Sequence, residues 1–142
     1  MNVFLDANIL VSVLNKEYPV FTYTSRILSM TDRPHVKLFT SPICLAISFY
    51  FSEKKSGRKK ARAKMDILCQ HLHITSVDDD VVRRVLGNPS VEDFEDGLEY
   101  YSAIQAGCEF IITEDPEDFY FSDFPVTRSE EFLIHYAYPR LG

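Results

Sequence analysis

Two acidic clusters bracket one predicted helix and one predicted strand in the stretch VEDFEDGLEYYSAIQAGCEFIITEDPEDF, Val91 to Phe119. The first cluster holds Glu92, Asp93, Glu95 and Asp96; the second holds Glu114, Asp115, Glu117 and Asp118. Asp93 suits a helix N-cap, and Asp96 then falls in the first turn. Gly97, Tyr100, Tyr101 and Ile104 recur at i, i+3, i+4 and i+7, the spacing of an amphipathic helix, and Gly107 suits its stop. Phe110-Ile111-Ile112 has the length of a short strand, and Pro116 ends its continuation. In parallel α/β sheets, ligand sites form beyond the carboxyl ends of strands. The two clusters can share such a site only if the chain enters the helix at Asp93 from that same edge. This is a geometric demand on the fold.

The remainder of the chain alternates strands and helices. Val3-Phe4-Leu5 reads as a strand, followed by a buried helix stopped near Asn15. Pro19 suits the first turn of a second helix, reaching about Met30. A strand over Val36 to Thr40 leads into Ser41-Pro42, a helix-start pair, and then into an almost wholly apolar helix to Glu53 that should be buried on most sides. After Ser56-Gly57, a basic helix carries Ala61, Met65, Leu68 and Leu72 on one face. His73 to Val77 reads as a short strand. A helix capped by Asp78 or Asp79 follows it and ends at Gly87-Asn88-Pro89. Phe124 to Val126 and a helix from Ser129 close the domain, with 136–142 as a tail. Such alternation predicts a single domain over 1–142, a three-layer α/β/α sandwich on a mostly parallel sheet.

Composition excludes several classes. No apolar run reaches the ~18 residues of a membrane span, and no signal-like start is present, so cytoplasmic residence is expected. Cys44, Cys69 and Cys108 are odd in number and widely spaced, which argues against a disulfide framework and against a zinc site and leaves them as reduced, mostly buried thiols. There is no phosphate-binding glycine loop, no nucleophile elbow, and no Ser/His/Asp set. His35, His71, His73 and His135 lack partner motifs and are read as non-catalytic. The net charge is −6, yet seven basic residues and no acidic ones lie between Lys54 and Lys64. That segment is either a solvated helix face or a grip for phosphates or a partner, with Lys59, Lys60 and Lys64 as candidate RNA contacts.

What remains as chemistry is carboxylates with neither His nor Cys beside them. Hard oxygen donors of this kind suit Mg²⁺ or Mn²⁺, whose common task in such a setting is phosphodiester hydrolysis. Asp6, at the end of the first strand, has two readings at this point: a cap for the helix after it, or a carboxylate aimed into a site.

Asp6-Ala7-Asn8 after an N-terminal strand, Ser41-Pro42 before an apolar helix, Asp93-Phe94-Glu95-Asp96 opening a helix, and Ile112 to Phe119 (ITEDPEDF) together resemble a PIN domain, in order and in spacing. The resemblance covers nearly the whole chain, and it favours the site reading of Asp6. It implies a divalent-metal-dependent ribonuclease of the kind found as toxins in bacterial toxin–antitoxin pairs, leaving 5′-phosphate ends. It implies Asp6, Asp96 and Asp115 as metal ligands and catalytic residues, with Asp93 or Asp118 assisting. RNA, a small antitoxin and a second copy of the chain in a homodimer are the expected partners. One position departs from the pattern. Ile47, six residues past Ser41, stands where the family often carries a glutamate. That departure keeps a second reading open: a degenerate PIN module that binds RNA or a protein without cleaving. An unrelated α/β protein with merely solvating acids is a third.

Overall fold

The computed structural model describes residues 1–137; residues 138–142 lie outside the described part. Five parallel strands form one sheet: β1 (Asn2–Leu5), β2 (Lys37–Thr40), β3 (His73–Ile74), β4 (Phe110–Ile112) and β5 (Val126–Thr127), in the order β3-β2-β1-β4-β5. Val3 stands between Leu38 and Phe110, and Leu5 beside Ile112. Strand β1 is central and buried on both faces, which is why Val3, Phe4 and Leu5 form a continuous apolar run without alternation.

The connections carry α1 (Ala7–Leu14), α2 (Val20–Ser29), α3 (Pro42–Ser56), α4 (Arg58–Cys69), α5 (Asp79–Leu86), α6 (Phe94–Gln105) and α7 (Ser129–Phe132). Helix α1 packs on α2, α3 and α4, while α5 packs on α6. From β1 the sheet grows outward to β2 and β3, then returns to the other side of β1 for β4 and β5. The reversal makes the β1/β4 edge a topological switch point, the place where parallel sheets open a crevice. Asp96, in the first turn of α6, lines one cavity with Asp6 at the end of β1, so α6 starts at the carboxyl edge. The demand set by the two acidic clusters is met.

Asp6, Ser41, Asp78 and Asp93 each cap a helix through a side-chain oxygen, as their residue types predict. Each such cap contributes about 1 kcal/mol. Pro19 sits one position earlier than expected, at the N-cap of α2 rather than inside it.

Helix α3 corrects the sequence expectation. It is not buried on most sides: Tyr50 is 59% exposed and Phe51 45%. The fully buried positions are Cys44, Ser48 and Ser52, spaced i, i+4 and i+8. Small side chains form the inner seam because they let α3 lie close to α1, and the large apolar residues are left facing outward. At the other end, Leu133–Ala137 form a π-helical turn, and the Tyr136 ring lies 4.4 Å from that of Phe110. The rest of the expected tail falls outside the described residues.

Candidate metal centre

The carboxyl ends of β1 and β4 place Asp6 and Thr113 side by side. Asp6 Oδ1 accepts from the Ala7 amide at 2.7 Å, and Oδ2 accepts from the Thr113 hydroxyl at 2.8 Å. The capping and site readings of Asp6 are therefore compatible: one oxygen caps α1, and the residue also lines a cavity. Asn8, in the first turn of α1, donates to Thr113 Oγ1 (3.0 Å) and Asp115 Oδ2 (3.3 Å) and accepts from the Glu114 amide (3.1 Å). Asn8 and Thr113 thus fix the loop after β4 relative to Asp6. Neither residue carries a local sequence signal of this orienting role.

The cavity, about 420 Å³, opens beside Asp6. Asp6, Glu17, Glu95, Asp96 and Asp118 contribute five carboxylates to its lining; Val11, Ile47 and Phe51 give it an apolar side. Among the described residues, no Lys, Arg or His lines it. Asp96, in the first turn of α6, therefore does share the site of Asp6. Asp93 accepts from the Glu95 and Asp96 amides and stands next to the cavity without lining it. Asp115 likewise lies beside it, held by Asn8. The second acidic cluster divides: Asp118 faces the cavity, Glu114 accepts from the Ser129 hydroxyl, and Glu117 lies 3.8 Å from Arg128.

The carboxylates strain against one another. Burial first, then Asp93, Asp118, Asp6 and Glu95, raise Asp96 from 3.8 to about 7. Burial and the neighbouring Asp115, Glu117, Asp6 and Asp93 raise Asp118, and burial with Asp93 and Asp6 raises Glu95. Opposite charge is what such a cluster lacks.

Two residues at the floor went unseen in the sequence. Glu99, on α6, is 1% exposed, and its pKa is raised from 4.5 to about 10 by burial and then by Asp6. Its Oε1 accepts from Cys44 Sγ at 3.0 Å; its Oε2 is buried without a hydrogen-bond partner. The Cys44 sulfur also lies 4.0 Å from Asp6 Oδ1. Glu99 follows Asp96 by three residues, so it shares that helix face, a spacing that could have exposed it. Cys44 gave no signal, having no second cysteine or histidine in sequence reach.

The basic segment is distributed differently from expectation. Lys59 and Lys60 are exposed on α4. Lys64, expected beside them as an RNA contact, is half-buried, and its ammonium donates to Leu14 O and Ser56 Oγ, both at 3.2 Å. Lys55 donates to Asn15 O at 2.7 Å. These two lysines satisfy carbonyls at the C-terminal end of α1, where a positive charge is favoured. No residue of α4 lines the carboxylate cavity.

Fold and site define a class: a parallel α/β domain with an acidic centre at its switch point. The sequence profile of the PIN domain matches residues 2–117, and the chain belongs to that family. It is 27% identical over 134 residues to Ribonuclease VapC1 of Aquifex aeolicus (strain VF5), an alignment covering 92% of each protein. Among solved structures it resembles VapBC2 from Rickettsia felis bound to a DNA fragment from their promoter (TM-score 0.66, 19% identity, 90% of this chain and 98% of the other). It also resembles VapBC-1 from nontypeable Haemophilus influenzae (TM-score 0.66, 14% identity, 92% and 99%). A third likeness is to Mycobacterium tuberculosis VapC20, a Sarcin-Ricin loop cleaving toxin (TM-score 0.61, 16% identity, 77% and 86%).

Proposed function

We propose that this chain is a divalent-metal-dependent endoribonuclease of the cytoplasm and the toxin of a toxin–antitoxin pair. The observation that carries the reading is the cavity at the switch point, with five carboxylates and no cationic side chain among the described residues. Such a surface repels a phosphodiester until a divalent ion neutralises it. The residues fit Mg²⁺ or Mn²⁺: Asp6, Asp96 and Asp118 offer hard oxygens from three different elements, with Asp93 and Asp115 beside them. A bound ion would supply charge neutralisation at the phosphate and a water acidified for attack. Asp6, Asp96 and Asp115 are the proposed catalytic set. In this reading Thr113 holds Asp6 and Asn8 holds Asp115. Phe51, half exposed on the apolar side, offers a ring on which a base can stack.

Lys59 and Lys60 are proposed phosphate contacts further along the strand. The likeness to the solved VapBC2 and VapBC-1 structures supports a protein partner here. The groove of about 530 Å³ lined by Val13, Leu14, Leu28, Ile67 and Leu68, with Lys16, Lys64 and Asp32 among its polar lining, suits the apolar face of an amphipathic segment. Assembly as a homodimer belongs to the same proposal, and solution molar mass tests it.

Cleavage of a single-stranded RNA with Mn²⁺ or Mg²⁺ is expected in the wild type and lost in Asp6→Asn. Asparagine keeps the capping oxygen, so the thermal midpoint should stay near wild type. Neutralising Lys59 and Lys60 together should flatten the salt dependence of RNA binding, by ~0.7 of slope per lost contact. Full activity in Asp6→Asn would remove Asp6 from the mechanism. A second reading, a PIN module that binds without cleaving, is favoured by one observation: Ile47 lines the cavity where the family often has an acid. Mn²⁺ binding with no turnover in the wild type would establish it.

A further inference from the structure

The floor beneath the cavity differs in chemistry from its mouth. Asp6 Oδ1, Cys44 Sγ and Glu99 Oε1 converge there from the end of β1, the first turn of α3 and the second turn of α6, with one ligand atom of each residue lying within 4.8 Å of the others. The sulfur stands 3.0 Å from Glu99 and 4.0 Å from Asp6. Donors around a tetrahedral zinc ion, bonded at about 2.0–2.3 Å, stand roughly 3–4 Å apart. Independently of this spacing, Glu99 is 1% exposed, its Oε2 accepts no hydrogen bond, and the carboxyl is satisfied only by holding a proton toward Asp6. A buried polar atom left unpaired is costly unless something fills the place beside it.

We propose that Asp6, Cys44 and Glu99 form a buried site for a thiophilic divalent cation, zinc or cadmium. Sulfur selects for such ions, whereas Mg²⁺ demands an oxygen shell and sheds water reluctantly. The sequence hid this site because its three donors come from distant parts of the chain. Coordination exchanges the Cys44 thiol proton and the Glu99 carboxyl proton for the ion, and both protons leave to solvent. Because Asp6 belongs to both levels, zinc at the floor draws that carboxylate away from an ion at the mouth. The site therefore acts as an inhibitory one. This consequence, unlike the binding itself, depends on the nuclease reading above.

Cd²⁺ added to the full chain is expected to produce a thiolate-to-cadmium absorption band in the ultraviolet, saturating at one equivalent. The band should survive Cys69→Ser and vanish in Cys44→Ser. Zn²⁺ affinity, read by competition against the band, should fall about tenfold or more in Glu99→Gln. A substitution at the floor can fail to fold, so the wild-type zinc complex provides a second measurement. Its X-ray absorption spectrum should show one sulfur donor among oxygens. A shell without sulfur, or a cadmium band that depends on Cys69, overturns the proposal. Loss of Mn²⁺-dependent RNA cleavage on adding Zn²⁺ tests the inhibitory role. A chain that never cleaves RNA would refute the nuclease reading and leave the spectroscopic result standing by itself.

Discussion

Ile47 lies between two demands at the residue scale. It packs against the main core and also lines the carboxylate cavity, half-buried. A glutamate there would enter a cavity that already holds five carboxylates. Without metal, Ile47→Glu adds like charge and removes apolar packing, so the thermal midpoint should fall. With saturating Mn²⁺ the new carboxylate faces a divalent cation, and the stabilisation produced by the ion should exceed that of the wild type. Thermal melts of both proteins with and without Mn²⁺ check this. A loss that Mn²⁺ cannot offset would show that Ile47 serves the core alone, as expected for a buried unpaired carboxylate. Glu99 shows how far apart a residue's sequence and structural meanings can lie. In the sequence it is one polar letter in an amphipathic helix, between Leu98 and Tyr100. In the structure α6 is covered on more than one side, because α5 packs on it and α3 meets it where Cys44 touches Glu99. Which sides of a helix are covered is decided by its partners, and periodicity along one helix cannot report it.

Individual elements were legible where local chemistry determines them. Four helix starts were readable because Asp6, Ser41, Asp78 and Asp93 cap through their own side chains. The switch point was legible only as a demand, since strand order depends on long-range pairing. The burial of α3 was misread because hydrophobicity per residue says nothing of how closely two helices approach. The same closeness governs the α5/α6 pair. Val81, Val85 and Leu98 form a separate small core there, with Val91 against it. Gly97 sits in the contact: a Cβ at this position would lie 2.6 Å from Val85 Cγ1 and 2.8 Å from Val91 Cγ1. Alanine is the better helix former, so an exposed Gly97→Ala change would stabilise by ~1 kcal/mol. The packed position reverses that sign. Gly97→Ala should destabilise by about 1–3 kcal/mol in urea unfolding. It should also weaken Mn²⁺ binding, because it displaces the turn that carries Asp96. A neutral or stabilising result would mean that α5 yields without cost and does not fix α6.

Charge organises the whole molecule, and pH is the variable that reads it. Asp96 has its pKa raised from 3.8 to about 7, chiefly by burial and then by Asp93, Asp118, Asp6 and Glu95. A group whose folded pKa exceeds its unfolded value holds its proton longer in the fold. Its contribution is fully present below the unfolded value and is lost as pH rises through the folded one. For Asp96 the loss therefore runs from about pH 4 to about pH 7. Asp118 and Glu95, shifted in the same direction, add to it, and Glu99, raised to about 10, extends it to higher pH. Asp78 has the opposite sign, being held down by the Val81 amide, but it is fully exposed at the start of α5. The metal-free protein should accordingly lose thermal stability between about pH 5 and pH 8, although many proteins are at or near their most stable in that range. Mn²⁺ binds the ionised carboxylates, so its stabilising effect should grow over the same interval. Melting curves in a chelating buffer and in saturating Mn²⁺, taken across that range, decide the matter. A metal-free midpoint that stays level or rises with pH would mean that the carboxylates around Asp6 are not in mutual repulsion. A cation at the β1/β4 switch point would then have no electrostatic basis.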